Sequence, residues 1–407
     1  MDYQNCYIKL KEGLASNQTK IKINEIEIHK LPFTSNSHNL LSGNKSYFCE
    51  KHQLTFEDTI SYFNDIGTIE SGVHIKDVFV KENQQFSYYI LKPVGTEKIK
   101  KVTFLFHGLN EKNWEKYLPW GKAICEQTNS AIVFFPIAFH MDRAPLSWGE
   151  KRKMFELSVQ RKLKFPNVVN SSLSNVAISM RLHAMPQRMI WSGLQTYYDV
   201  IQFIENCKNN NHPLIDKDFN FNIFAYSIGG LLAEILKLSN YKNYFTNTKL
   251  CLFCSGAVVN RISPVSKFIL DSEANIALYA YLAEHFNKFL EKDKLLHHYI
   301  EEDHIEGEVF NAMLEYQKKR KFREDLFKKV EHQIYAIALQ KDFVIPPFEV
   351  MNTLQGAFRN INIKVDLMDF NYNYTHENPF PLKVTDQNLV NESFNLVFDK
   401  VTAFFNK

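Results

Sequence analysis

Three residues of this chain carry the side chains that nucleophilic catalysis requires. Ser227 lies in NIFAYSIGGLLAEIL, residues 222–236, where an apolar run meets small residues and leucines. Asp342 and His376 follow in QKDFVIPP and NYNYTHENPF. A histidine can take the proton of a serine hydroxyl, and a carboxylate can orient that histidine and stabilise its charge. Taken singly, each has a simpler explanation: a helix-capping serine, a helix-capping acid and a histidine of a surface loop.

The predicted strands place all three residues where a site can form. From Lys101 onward, uninterrupted apolar runs alternate with amphipathic segments, which predicts βαβ units and a parallel sheet with helices on both faces. Right-handed crossovers then make the sheet doubly wound. Ser227 follows the strand FNIFAY, Asp342 follows QIYAIAL, and His376 follows INIKVDLMDF. Since the carboxyl ends of parallel strands share one edge, these side chains are expected to meet there.

The residues around Ser227 suit a very tight turn from strand to helix. Such a turn needs small residues two positions before and after the serine; Ala225 and Gly229 hold those places, and Gly230 adds clearance. Here the sequence resembles the α/β-hydrolase superfamily, whose nucleophile elbow is G-x-S-x-G, with Ala in place of the first Gly. The resemblance implies an α/β-hydrolase fold and a catalytic triad in which the acid and then the histidine follow the serine along the chain.

The same resemblance implies an oxyanion hole. The predicted strand KVTFLF ends in His107-Gly108-Leu109, which is similar to the His-Gly signature of the superfamily. Gly108 lets the backbone turn so that the amide of Leu109 faces the serine, and the amide of Ile228 is the second donor. His107 is then a structural residue and not a base.

Residues 71–407 are predicted to form the α/β-hydrolase domain, after an N-terminal extension of residues 1–70 without a predicted role. Two segments, about 139–190 and about 260–330, interrupt the alternation of strands and helices, and the second is helical throughout. Because insertions after strands lie at the carboxyl edge of the sheet, both are predicted to cap the site. The run KDVFVKENQQFSYYILKP predicts a β-hairpin around Glu82 and Asn83.

Further polar residues are candidates for substrate contacts. His140 and Arg143, in FHMDRAP, would overhang the serine, where Arg143 could hold a substrate carboxylate. An ion pair between Asp142 and Arg143 that pins the loop is the favoured alternative. Arg181 and Arg188 have the same ambiguity.

Metal and cofactor binding are not predicted. His298, Glu302 and His304, in HHYIEEDH, have a spacing that zinc could use, but a polar face of a cap helix explains them and is favoured. We therefore assign no metal ligand. A Ser-Asp-His triad needs no cofactor, so none is predicted.

The composition excludes several classes of protein. The formal net charge is +3, from 48 basic and 45 acidic residues, which argues against a nucleic-acid binder. No apolar stretch reaches the length of a transmembrane helix, and the start of the chain has no run typical of a signal peptide. The six cysteines are scattered and do not resemble a disulfide framework, so a cytoplasmic location is expected.

These patterns predict a serine hydrolase that acts on a small ester-like molecule, most simply a carboxylic ester, otherwise a thioester or amide. One rival is a non-catalytic protein of the same fold that binds a ligand or partner. An intact triad argues against it, because a pure binder has no need of all three groups. A third interpretation keeps the triad but transfers the acyl group to an acceptor other than water.

Overall fold

Strands and helices alternate along most of the chain, in a computed structural model that describes residues 1–15, 18–57, 76–384 and 386–407. The described strands are β1 Lys20–Ile23, β2 Ile26–Thr34, β3 Ser46–Cys49, β4 Leu54–Glu57, β5 Gln85–Pro93, β6 Ile99–Phe106, β7 Ala131–Phe134, β8 Ile215–Tyr226, β9 Leu250–Phe253, β10 Ile334–Leu339 and β11 Lys364–Met368. The described α-helices are α1 Tyr3–Leu14, α2 Lys81–Gln84, α3 Leu118–Thr128, α4 Lys151–Lys164, α5 Val176–Ala184, α6 Arg188–Lys208, α7 Ile228–Ser239, α8 Ser272–Ala280, α9 Phe286–Lys292, α10 Lys294–Glu301, α11 Ile305–Leu314, α12 Arg320–Val330, α13 Pro347–Leu354 and α14 Gln387–Asn406.

One nine-stranded sheet, in the order β1-β2-β5-β7-β6-β8-β9-β10-β11, organises the molecule, and β3 pairs with β4 in a separate hairpin. Strands β6 to β11 run parallel to one another, whereas β1, β2 and β5 add an antiparallel edge. The predicted fold class is confirmed: a doubly wound, mostly parallel sheet of the α/β-hydrolase type.

Strand alternation divides the core into two layers, one on each face of the sheet. In β8, Ile223 and Ala225 pack into the layer that contains α6 and α7. Phe224 and Tyr226 pack into the opposite layer, with α3 and α14. Because side chains alternate along a strand, this central strand is apolar on both faces, as a strand covered by helices on both sides must be.

The predicted hairpin before β5 is wrong. Residues Asp77–Phe79 form a 3₁₀ turn and α2 follows, while β5 pairs with β2. Asp77 is buried and binds Arg181 and Arg188, and Asn83 is buried against Arg143. Buried polar contacts made by residues distant in sequence therefore override the strand propensity of this run.

The N-terminal residues are built into the main sheet. β1 and β2 form its antiparallel edge, and α1 packs against α3 and α14. The predicted boundary near residue 70 falls within residues 58–75, outside the described residues.

The two predicted insertions lie against each other. The first contains α4 and α5, and the second contains α8 to α12, with a π-helical turn at Tyr281–His285 between α8 and α9. α5 packs on α8, so the two segments are joined directly. Among the helices of the described ranges, none combines the length and the apolar character needed to cross a bilayer.

Candidate active site

Ser227 occupies a strained turn between β8 and α7. Its φ is +55° and its ψ is −128°, an uncommon conformation for a residue with a side chain. The turn brings the start of α7 against the end of β6: a Cβ on Gly229 would lie 2.7 Å from the carbonyl oxygen of His107. A Cβ on Gly230 would lie 1.7 Å from Ser255 Oγ. Only glycine fits at both positions, which explains the run of small residues after the serine.

Ser227, His376 and Asp342 form a continuous chain of hydrogen bonds. His376 Nε2 lies 2.7 Å from Ser227 Oγ, and His376 Nδ1 lies 2.7 Å from Asp342 Oδ2. The amides of Val344 and Ile345 both donate to Asp342 Oδ1 at 2.9 Å, which fixes the carboxylate. A carboxylate beside Nδ1 holds the proton there, so Nε2 is free to accept the proton of the serine hydroxyl.

Tyr226 positions the histidine and was missed by the sequence analysis. Its ring stacks on the imidazole of His376, with centroids 5.4 Å apart and planes 19° apart. Its hydroxyl donates to the backbone oxygen of His376. Its position directly before Ser227 could have indicated this role. Because side chains alternate along a strand, Tyr226 points toward the opposite core layer from Ala225.

Leu109 and Ile228, the two residues of the predicted oxyanion hole, lie near Ser227. The three residues line one small cavity. Ile228 is the first residue of α7, so its amide has no acceptor within the helix and lies at the positive end of the helix dipole.

The turn that carries Leu109 is held by His107 and Tyr117. His107 Nδ1 donates to the carbonyl of Gly108 at 2.8 Å, and His107 Nε2 accepts from the amide of Ile137 at 2.9 Å. Burial holds the pKa of His107 well below its usual value, so the ring is neutral. The amide of Gly108 donates to Tyr117 Oη at 2.9 Å. His107 therefore has the structural environment that the sequence analysis expected.

An apolar cavity of about 100 Å³ adjoins Leu109 and Ile228. It lies between α7 and the two insertions, and its lining includes Ile178, Leu231, Leu278 and Phe310. On the other side of Leu109, a wider and more polar cleft is bordered by Asn110, Lys112, Thr375 and Glu377. Leu109 thus lines both spaces, and Ser227 lines the small cavity that it shares with Leu109 and Ile228.

The structure does not bring Arg143 to the cavity. Its guanidinium is fully buried and donates to Asp199 at 2.7 Å and to Asn83 at 2.9 Å, and not to Asp142. Since Asp199 lies in α6, this ion pair joins the first insertion to a helix that covers the sheet. His140 does line the cavity.

The remaining polar residues of the cavity lining are held within the protein. His140 Nδ1 donates to the carbonyl of Ala138 at 2.8 Å, and burial lowers the pKa of His140 to about 4, so it is neutral at physiological pH. Arg181 and Arg188 both bind the buried carboxylate of Asp77. Burial acts to raise the pKa of Asp77, but the two guanidinium groups outweigh it and keep that pKa below its usual value.

The sheet has the α/β-hydrolase type of topology, and Ser227, His376 and Asp342 meet at its carboxyl edge. The chain belongs to a family of unknown function, DUF6051, whose profile matches residues 1–406. No curated protein matches the sequence.

Several solved structures are similar to this chain at low identity. A hyperthermophilic esterase from the archaeon Pyrobaculum calidifontis has 8% identity over 100% of this chain and 90% of its own, with a TM-score of 0.46. A thermostable esterase from Pseudomonas putida has 9% identity over 99% of this chain and 90% of its own, with a TM-score of 0.43. Carboxyl esterase 2 from the fungus Tuber melanosporum has 12% identity over 79% of this chain and 82% of its own, with a TM-score of 0.37.

Proposed function

We propose that this protein is a serine hydrolase that cleaves a carboxylic ester through an acyl-enzyme on Ser227. The observation that carries the proposal is the chain of two 2.7 Å hydrogen bonds from Ser227 through His376 to Asp342. Its setting in a strained turn at the carboxyl edge of a parallel sheet, beside an apolar cavity, is the arrangement that nucleophilic catalysis needs.

The chemistry follows from the positions of these groups. Ser227 Oγ attacks the ester carbonyl while His376 Nε2 takes its proton, and Asp342 stabilises the imidazolium. The amides of Leu109 and Ile228 donate to the oxyanion of the tetrahedral intermediate. When that intermediate collapses, the bond to the alkoxy group breaks and His376 returns the proton to the departing alcohol. Water, activated by the same histidine, then releases the carboxylic acid and restores the serine.

The shape of the site supports an ester with an apolar acyl group. The cavity beside the oxyanion amides is lined almost entirely by aliphatic and aromatic side chains, so burial of an acyl chain there is favourable. The polar cleft on the other side, which includes Thr375 and Glu377 next to the histidine, gives the departing alcohol a path to water.

Labelling with a fluorophosphonate probe tests this proposal. The wild-type protein should be modified at Ser227, and Ser227→Ala should lose both labelling and ester hydrolysis. Ser255→Ala is the matched control, because Ser255 lines the same cavity but only donates to the backbone oxygen of Ser227. If folded wild-type protein is not labelled, the protein is a binder and not a serine hydrolase; if the label maps to Ser255, the assignment of Ser227 as the nucleophile is wrong. Release of free acid with water as the only acceptor separates hydrolysis from acyl transfer.

We also propose that the protein works in the reducing cytosol. All six cysteines are free thiols, and five of them are buried. Buried unpaired thiols need no oxidising compartment, and most such proteins are cytosolic. Subcellular fractionation with an antibody against the native protein tests the location.

A further inference from the structure

Four potential metal ligands converge outside the Ser227 site. Cys49 ends β3 and His52 lies in the turn before β4, whereas His298 lies in α10 and His304 directly precedes α11. Their donor atoms all lie within 4.8 Å of one another. We propose that these four side chains bind a structural zinc ion that fastens the β3–β4 hairpin to the second insertion.

Four of the six separations between the donor atoms are close to the edges of a zinc tetrahedron. Zn–N bonds of about 2.0–2.1 Å and a Zn–S bond of about 2.3 Å place two nitrogens about 3.4 Å apart, and sulfur and nitrogen about 3.6 Å apart. His298 Nε2 lies 3.2 Å from both His52 Nδ1 and His304 Nε2. Cys49 Sγ lies 3.6 Å from His52 Nδ1 and 3.5 Å from His304 Nε2. One thiolate and three imidazoles are a ligand set that zinc accepts.

Two outer carboxylates leave the ring nitrogens ready to coordinate. His298 Nδ1 donates to Glu302 at 2.8 Å, and His304 Nδ1 donates to Glu306 at 2.7 Å. Tyr198 donates to the same oxygen of Glu306 and so fixes this carboxylate. With Nδ1 of each ring bonded to a carboxylate, the two Nε2 atoms face each other at 3.2 Å, close enough for one cation to bind both. A carboxylate behind each histidine is the usual outer shell of a zinc site.

The rings surround a common point. Each pair among His52, His298 and His304 has its centroids 4.8 Å apart, with planes 76° to 84° from one another. The three rings are arranged like the blades of a propeller, and one nitrogen of each ring is directed toward the centre. Cys49, His298 and His304 are buried, so the site is closed. Four protein ligands leave no open position, which is typical of structural and not catalytic zinc.

The polar helix face expected for His298, Glu302 and His304 is present only in part, because Glu302 is half exposed whereas the two histidines are buried. His298 is only 1% exposed, and Glu302 orients it without reaching the cluster. His298 and His304 are visible as a pair in the sequence, whereas Cys49 and His52 are not, because these two come from a hairpin about 250 positions earlier in the chain.

Zinc here would add to the contacts between the β3–β4 hairpin and the second insertion, which include Tyr47 on Tyr299 and Phe56 on His298. A two-stranded hairpin is marginal by itself, and β3–β4 is not part of the main sheet. α10 and α11 are in very close contact, since a Cβ on Gly307 would lie 1.7 Å from the carbonyl oxygen of Tyr299. α11 packs on α7 and also carries Phe310 in the lining of the apolar cavity. The metal would thus set one wall of the substrate space.

Metal analysis of the full-length protein tests the proposal. After incubation with Zn²⁺ and removal of the unbound ion, the wild type should retain one zinc per chain, and Cys49→Ser and His298→Gln should lose it. His297→Gln and Cys6→Ser are matched controls that should keep it: His297 adjoins His298 and contacts Glu302 but is not among the four. Cobalt in place of zinc should give a thiolate-to-metal charge-transfer band in the wild type that Cys49→Ser lacks.

A second measurement keeps the proposal falsifiable if a variant fails to fold. Chelation should remove zinc from the wild-type protein and lower its Tm, and added Zn²⁺ should restore both. The proposal is overturned if the wild type retains no stoichiometric zinc, or if folded Cys49→Ser and His298→Gln retain as much as the wild type. It is also overturned if chelation leaves Tm unchanged, because a structural ion must stabilise the folded protein. None of these outcomes depends on hydrolase activity.

Discussion

Replacing Glu234 by glutamine should stabilise the protein at alkaline pH and leave it almost unchanged in acid. Glu234 lies in α7, the helix that follows Ser227, and is fully buried with no hydrogen-bond partner for either carboxyl oxygen among the described residues. Burial raises its pKa from 4.5 to about 8, and the nearby Arg323 offsets only part of that rise. The side chain is therefore a neutral acid at physiological pH.

The sign and size of the effect follow from proton linkage. Between pH 4.5 and about 8 the native state retains a proton that the unfolded chain has released, so the free energy of unfolding falls as pH rises. Above pH 8 both states are ionised and the fall stops. Since one pKa unit corresponds to about 1.4 kcal/mol, the wild type loses roughly 5 kcal/mol across this window. Glutamine has nearly the same shape and does not ionise, so Glu234→Gln removes this loss.

Denaturant unfolding of both proteins at pH 5, 7 and 9, followed by tryptophan fluorescence, measures the effect. The advantage of Glu234→Gln should grow by about 4 kcal/mol from pH 5 to pH 9, while other titrating groups cancel in the difference. Glu156→Gln is the control: its side chain is 56% exposed and pairs with Arg152 on the helix surface, so its effect should stay within about 0.5 kcal/mol. A difference between wild type and Glu234→Gln that does not change with pH would refute the reasoning.

Three further predictions concern the site. Gly229→Ala should reduce kcat/KM by more than about 100-fold, since the added Cβ would lie 2.7 Å from a backbone oxygen at the end of β6. Gly149→Ala, whose Cβ would meet no atom within 4 Å, should retain activity, and equal kinetics for the two variants would contradict the packing argument. For a short p-nitrophenyl ester, His376→Gln should abolish hydrolysis, because His376 Nε2 lies 2.7 Å from Ser227 Oγ and must accept its proton; a variant with the kcat/KM of the wild type would exclude this role. Phe310→Ala and Leu278→Ala should shift the preference toward longer acyl chains while fluorophosphonate labelling of Ser227 persists, since both side chains line the apolar cavity. An unchanged chain-length profile would show that the acyl group binds elsewhere.

Several features of the protein could be predicted because their causes are local in sequence. Uninterrupted apolar runs of strand length predict β6, β8 and β10 as buried parallel strands, because this pattern can be read without knowing the tertiary contacts. The small residues around Ser227 fit only a close turn between strand and helix, and the structure has that turn. Asp342 and His376 follow strands of the same parallel sheet, so the topology alone directs them to the same edge.

The rest was decided by contacts between residues far apart in the chain, which carry no local pattern. Asp77 sits in a run with strand propensity, yet its burial between Arg181 and Arg188 determines that segment. Arg143 binds Asp199 and not its sequence neighbour, because packing fixes which way a long side chain points. Cys49 and the histidines of the second insertion meet only after the hairpin has docked on α10 and α11. A buried polar group must bind a partner, because leaving it unpaired costs free energy. Which partner it binds depends on how the helices and strands pack, and the order of residues in the sequence does not specify this.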